Sequence, residues 1–167
     1  INKKFSSLKG IDYWIVDAVF NYKEKLFFMD INPNNYYNDN NTYILESMLN
    51  WTGICLVDEN KIDEFKKYRN SNILSLNNFM NSDLKNNNNI DYLSVNSICE
   101  NLNDVINLIK KYIPMVLTIE GDCDNFHSDL ISLGYIFIRH STPFNISQCS
   151  FYIHKNFDHD KIQKKIY

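Results

Sequence analysis

Strand-like and helix-like segments alternate along this chain and then give way to two successive strands. That order predicts an α/β fold: a mostly parallel sheet with helices on both faces. Three observations carry the prediction. Short apolar runs end in polar loops, amphipathic stripes at helical spacing lie between them, and the last two runs have no helix between them, so a closing hairpin adds an antiparallel strand. With 167 residues, 44% hydrophobic and 14% aromatic, the chain is long and apolar enough to bury a core, which a disordered chain is not.

The elements follow in order. Ile11, Trp14, Ile15, Ala18 and Val19 repeat at helical spacing and predict an opening amphipathic helix. Leu26 to Ile31 is a buried strand that runs into the tight loop Asn32-Pro33-Asn34-Asn35. Ile44, Leu45, Met48 and Leu49 mark a second helix, and Gly53 to Asp58 a second buried strand. Asn60 is placed to cap the next helix, with Asp63 and Glu64 in its first turn, where the helix dipole favours negative charge. Asn72 to Met80 reads as a strand fragment or a short helix, followed by a polar, Asn-rich loop over 81–89.

Ile90 to Val95 is the next strand. Leu102, Val105, Ile106, Ile109, Tyr112 and Ile113 form the cleanest amphipathic stripe, with Asn101 as its cap and Pro114 as its stop. Met115 to Glu120 is a strand, and Phe126, Leu130, Ile131 and Leu133 line a helix ended by Gly134. Tyr135 to Ile138 and Cys149 to His154 close the pattern as strands. Residues 1–157 are expected to form one domain and 158–167 a charged tail, with no internal repeat.

Composition excludes several function classes. A net charge of −3 removes the basic field of a general nucleic-acid binder. No apolar run approaches the roughly 20 residues that span a bilayer, and no signal-peptide pattern opens the chain. The chain starts at Ile1, as a cut fragment would, so location rests on little; an intracellular setting is favoured. Cys55, Cys99, Cys123 and Cys149 stand far apart without a C-x-x-C pair and read as buried reduced thiols. Abundant Asn, including 86–89, with only 4 Gly and 3 Pro, suggests an AT-rich genome, and the sequons at Asn40 and Asn145 are what such a composition yields by chance.

Specific residues then resemble one family, the FkbM S-adenosylmethionine-dependent methyltransferases. Ile11-Asp12-Tyr13-Trp14-Ile15, ending at Phe20, is similar to the family's Q-D-x-W-I-x-x-x-x-F. Phe27-Phe28-Met29-Asp30-Ile31-Asn32-Pro33-Asn34-Asn35-Tyr36 stands where the family has F-F-V-D-I-G-A-N-D-G. Asn40-Asn41-Thr42-Tyr43-Ile44-Leu45-Glu46 resembles S-N-T-Y-x-L-E, and Trp51-Thr52-Gly53-Ile54-Cys55 resembles W-x-G-I-C. Ile90-Asp91-Tyr92-Leu93-Ser94 is similar to I-D-Y-L-S, and Ile119-Glu120-Gly121-Asp122 to I-E-x-D/N. The resemblance covers nearly the whole chain and implies a Rossmann-like methyltransferase three-layer sandwich, here shortened around the third strand because 69–90 leaves little room for it.

The resemblance also implies a cofactor site at the carboxyl ends of the central strands, with Asp30, Asn32, Asn34, Asp58 and Asn96 as candidate S-adenosylmethionine-binding residues. Departures concentrate there. Asn32 and Tyr36 replace the family's glycines, with Pro33 between them; Asn tolerates the left-handed turn, while close approach of a ligand is harder to keep. Val57 holds the place of the ribose-binding acid, with Asp58 one residue on. Asn96, Ile98 and Cys99 replace the fourth strand's acid, Glu and Gly.

Two functions are therefore expected in competition. One is a methyltransferase acting on a small-molecule or glycan hydroxyl, with Asp30, Asp58, Asn96, Glu120 and Asp122 around the strand ends. The other is an inactive methyltransferase fold, a scaffold or binding module with a protein partner. No catalytic residue is identified. A metal site at Glu120, Asp122, Asp124 and His127 is outweighed by plain helix capping, so no metal is expected. His140, His154 and His159 are read as facing solvent, and Asn41 and Glu46 as tying the second helix to the first loop.

Overall fold

In the computed structural model, residues 5–7, 10–82, 89–96, 102–121, 124–138 and 149–158 are described. Seven strands form one sheet in the order β3-β2-β1-β4-β5-β7-β6. They are β1 Phe27–Ile31, β2 Thr52–Leu56, β3 Asn72–Leu74, β4 Tyr92–Val95, β5 Val116–Glu120, β6 Tyr135–Ile138 and β7 Cys149–His154. Strands β1 to β5 pair in parallel, and β7 runs antiparallel between β5 and β6. The mostly parallel sheet with a C-terminal antiparallel strand is thus present. The third strand is there too, cut to three residues.

The helices are α1 Ile11–Tyr13, continued by a π-helical stretch Trp14–Val19, then α2 Tyr43–Leu49, α3 Ile62–Tyr68, α4 Leu76–Asn81, α5 Leu102–Tyr112 and α6 Asp124–Ser132. Residues 72–80 resolve into both alternatives, a strand and then a helix capped by the Ser75 hydroxyl, which accepts from Asn78 N at 3.3 Å. Asn50 ends α2 in the left-handed region at φ 53°, the conformation that asparagine tolerates.

Four expectations change. The opening helix is one residue wider per turn after Tyr13, with Phe20 N donating to Ile15 O at 3.0 Å, a π-type i→i−5 bond. Asn60 lies inside a 3-10 turn, Glu59–Lys61, for which Asp58 is the capping position. Ile131 is 45% exposed, because α6 buries only Phe126 and Leu130 against the sheet. His154 is buried rather than solvent-facing: its Nε2 meets Leu133 O at 3.2 Å and its Nδ1 accepts from Asn156 N at 3.2 Å. The Asn101 cap, His140, His159, Asn145, Cys99, Cys123 and tail residues 159–167 lie outside the described residues. Cys55 is a buried free thiol, pushed up to about 12 by burial, and Cys149 is half-buried.

Side chains alternate across each strand, so the sheet has two faces of different chemistry. Met29, Ile31, Leu93, Val95, Leu117 and Ile119 point to one face and pack with α4, α5 and α6. Phe28, Tyr92 and Val116 point to the other, with the opening helix, α2 and α3. On that second face the register sets Cys55, Asp30, Ser94 and Thr118 side by side across four strands. Gly53, also on β2, is forced small: a Cβ there would sit 2.5 Å from the Phe28 ring.

Candidate functional site

The polar row leads to the carboxyl ends of β1, β4 and β5, where it becomes a buried network. Asp30 is fully buried. Its Oδ2 accepts from Thr42 Oγ1 at 2.7 Å and its Oδ1 from Asn96 Nδ2 at 2.8 Å. Thr42 stands at the start of α2 and Asn96 just past β4, so two crossing points converge on one carboxylate. Burial pushes the Asp30 carboxyl up to about 6, opposed by the Thr42 bond, the Arg69 charge and the Asn96 bond. At neutral pH it is ionised. Asn41 extends the network: its Nδ2 lies 3.2 Å from Ser94 Oγ, 3.1 Å from Asn96 Oδ1 and 3.2 Å from Glu120 Oε1. With two amide protons, it serves at most two of these three at once. Tyr92 and Thr118 hydroxyls pair at 2.6 Å below it.

A second cluster joins this one from the side. Arg69, at the end of α3, has a side chain with no exposure, paired through Nε to Glu46 Oε2 at 3.2 Å. Its Nη2 donates to Thr42 Oγ1 at 3.1 Å, and its Nη1 reaches Tyr36 O and Asn40 Oδ1 at 3.4 Å each. Glu46 is further held by Asn70 N at 2.7 Å, Ser71 N at 3.2 Å and the Ser71 hydroxyl. The Asn40 amide oxygen accepts from Thr42 N at 2.9 Å and Tyr43 N at 2.7 Å, so it closes the first turn of α2. Asn40 is buried, with its side chain consumed by these bonds, and it does not present a glycosylation site.

The five expected cofactor residues divide in two. Asp30 and Asn96 are brought together, buried and bonded to each other. Asn32, Asn34 and Asp58 are exposed on loops after β1 and β2. Asn32 takes φ 51°, the left-handed turn a glycine would supply, and its N bonds Leu56 O at 2.9 Å, tying the two strand ends together. Val57, in the place of the ribose acid, is buried and extends β2 pairing through Val57 N to Leu74 O at 2.9 Å. Asp58 is therefore the first acid exposed at the end of β2, 3.9 Å from Lys61 Nζ. Tyr36 turns aside and stacks on Tyr68 at 4.2 Å. Pro33 is buried.

Glu120 joins the network through Asn41, whereas Asp122 lies outside the described residues. His127 Nδ1 is 3.1 Å from the Tyr152 hydroxyl. Among the described residues no group of three or more His, Cys, Asp or Glu could hold a metal, and no helix is long and apolar enough to cross a membrane.

Arg69, Asn40, Ser94 and Ser71 were not expected from sequence. A signal existed for Arg69: only it and Arg139 are arginine among 17 basic residues, in a chain that otherwise uses lysine. A guanidinium, unlike an ammonium, binds in a planar fork, which suits a buried hub.

No known protein-family profile matches the chain, and no curated protein does. Solved structures do. The chain is similar to a point mutant of the nicotianamine synthase MtNAS, with TM-score 0.53 and 9% identity over 80% of this chain and 55% of that one. It is similar to MtNAS in complex with MTA and tNA, with TM-score 0.52 and 9% identity over 86% of this chain and 57% of that one. A mutant of MtNAS in complex with S-adenosylmethionine matches with TM-score 0.52 and 10% identity over 80% and 56%. The chain thus spans a little over half the length of these structures. At such identity the likeness is one of fold alone, a Rossmann-like, methyltransferase-like α/β fold.

Proposed function

We propose that the chain is an S-adenosylmethionine-binding, methyltransferase-like domain of FkbM type. The observation that carries this reading is the Asn32 turn: at φ 51° it keeps the backbone path of the missing glycine, with its N–H bonded across to β2. Exposed Asn32, Asn34 and Asp58 stand at the ends of the two strands that such folds use for cofactor, and the Tyr36 ring is drawn to α3 rather than over them. Asp58 would accept from ribose hydroxyls. Asp30 and Asn96 would fix the floor beneath, not touch the ligand, because their polar atoms are engaged with each other and with Thr42.

Bound S-adenosylmethionine supplies an electrophilic methyl group, and in-line transfer to a small-molecule or glycan hydroxyl needs positioning above all, with a base to take the proton. A second reading has its own observation. The carboxylates of Asp30 and Glu120 are bonded to Thr42, Asn96 and Asn41, an arrangement that favours a binding module without a general base.

Titration with S-adenosylmethionine, followed by thermal shift and by transfer of labelled methyl to sugar acceptors, separates these. At 100 times the dissociation constant a ligand stabilises the native state by about 2.7 kcal/mol. Binding with transfer supports the enzyme, and binding without transfer supports the module. No shift at millimolar cofactor overturns the cofactor reading altogether.

A further inference from the structure

We propose that Arg69 is the positioning residue of the loop between β1 and α2, the loop that presents Asn32 and Asn34; the inference rests on the cofactor reading above only for its consequence on binding. The loop, residues 32–42, contains no glycine and takes positive φ at Asn32 and Asp39. Its two ends are anchored on the sheet, by Asn32 N to Leu56 O and by Asn41 Nδ2 and Thr42 Oγ1 to the polar row. The span between, residues 35–40, bonds only locally or to the N-terminal segment apart from Arg69: Tyr37 N to Asn35 Oδ1 at 3.1 Å, Asn40 Nδ2 to Asn35 O at 2.7 Å, Asp39 N to Ser6 O at 2.9 Å. Arg69 arrives from a different element and touches the loop at three points: Tyr36 O, Asn40 Oδ1 and Thr42 Oγ1.

The guanidinium is itself immobilised. Glu46 holds its Nε edge, and its carbon lies 5.7 Å from the Phe28 ring centre and 5.8 Å from that of Tyr43. Glu46 in turn accepts from Asn70 and Ser71, the residues that lead into β3. One planar cation therefore links the α3–β3 junction, α2 and the loop. Its effect reaches Asp30 by one further step, since the Thr42 hydroxyl that accepts from Arg69 Nη2 donates to Asp30 Oδ2. Lysine has no fork and cannot make the Glu46, Asn40 and Thr42 contacts together.

The test uses Arg69→Lys and Thr42→Val in the full chain, with Thr42→Ser as the conservative control. Hydrogen exchange reads the amides of Asn32, Tyr37, Asp39, Thr42 and Tyr43 against those of β4 and β5. Arg69→Lys should lower protection of the loop amides at least tenfold while β4 and β5 stay within twofold, and should weaken S-adenosylmethionine at least tenfold. Thr42→Val should weaken binding and move the midpoint of its pH profile upward, and Thr42→Ser should restore both. Loop protection that is unchanged, or that falls only in step with the whole sheet, overturns the positioning role. Wild-type protein that fails to bind S-adenosylmethionine overturns the cofactor reading and leaves the exchange result to judge Arg69. Should Arg69→Lys fail to fold, the Thr42 pair decides through loop exchange: equal protection in Thr42→Val and Thr42→Ser overturns the proposal.

Discussion

The two faces of the sheet differ more than any two elements do. Under α4, α5 and α6 the sheet presents Met29, Ile31, Leu93, Val95, Leu117 and Ile119, a hydrocarbon layer held by burial alone. Under the opening helix, α2 and α3 the same strands present Phe28 and Tyr92 beside Asp30, Ser94 and Thr118, with Arg69 buried against them and the Glu46 side chain nearly so. A parallel sheet covered on both sides reads as continuous apolar sequence, and the first face fits that expectation. The second departs from it towards the ends of β1, β4 and β5. Burying a carboxylate, a guanidinium and several amides is costly unless each is bonded, and each has partners here. The comparison teaches that the face carrying the candidate site is also the one whose stability depends on complete polar pairing.

The comparison can be broken most forcefully at Arg69. Replacing it with Met leaves Glu46 buried without its counter-ion and should cost about 3–5 kcal/mol in urea unfolding. On the opposite face, Leu117→Ala removes only packing and should cost about 2–5 kcal/mol, with the same loss at pH 5 and pH 8. A strong pH dependence in the Leu117 variant would erase the distinction between faces.

Asp30 sharpens the distinction through pH. Its folded value, about 6, lies above the ordinary 3.8, so the folded state binds the proton more tightly than the unfolded chain. Its contribution to stability is therefore full below about pH 4 and is lost as pH rises through about 6. Two pKa units correspond to about 3 kcal/mol, an upper figure for that decline. Asp30→Asn should flatten the stability profile between pH 4 and 7, at a cost because its amide now faces Asn96 Nδ2. A variant that retains the full slope would show that another group titrates there.

Gly53→Ala brings a methyl to within 2.5 Å of the Phe28 ring, on which Arg69 rests, and should cost about 1–3 kcal/mol. Ser75→Ala, which removes only the cap of α4, should cost about 1 kcal/mol and leave ligand binding unchanged.

Much of the fold was legible because helical stripes and apolar runs are local signals. Val105, Ile106 and Ile109 announce α5, and the paired runs at 135–138 and 149–154 announce the closing hairpin. The π-helical turn at Trp14 to Val19 was not, since a stripe of five apolar residues fits either helix type. The site was half legible. Asp30 and Asn96 could be placed at strand ends, but that they bind each other depends on register between β1 and β4, which no local pattern encodes. Read two residues at a time, however, the strands do carry a hint. Asp30, Ser94 and Thr118 all fall on the parity of Phe28, Tyr92 and Val116, so one face had to be polar. Arg69 was missed because it ends a helix whose charged residues otherwise face solvent.

Calorimetric titration of the wild type and of Asp58→Ala with S-adenosylmethionine tests the central claim most directly, that exposed Asn32, Asn34 and Asp58 form a cofactor rim above the buried Asp30–Asn96 floor. The account predicts saturable binding at one site per chain, weakened about tenfold by loss of one charged hydrogen bond, roughly 1.4 kcal/mol, in Asp58→Ala. Absence of heat and of thermal shift at millimolar ligand, or equal affinity in the two proteins, would contradict it.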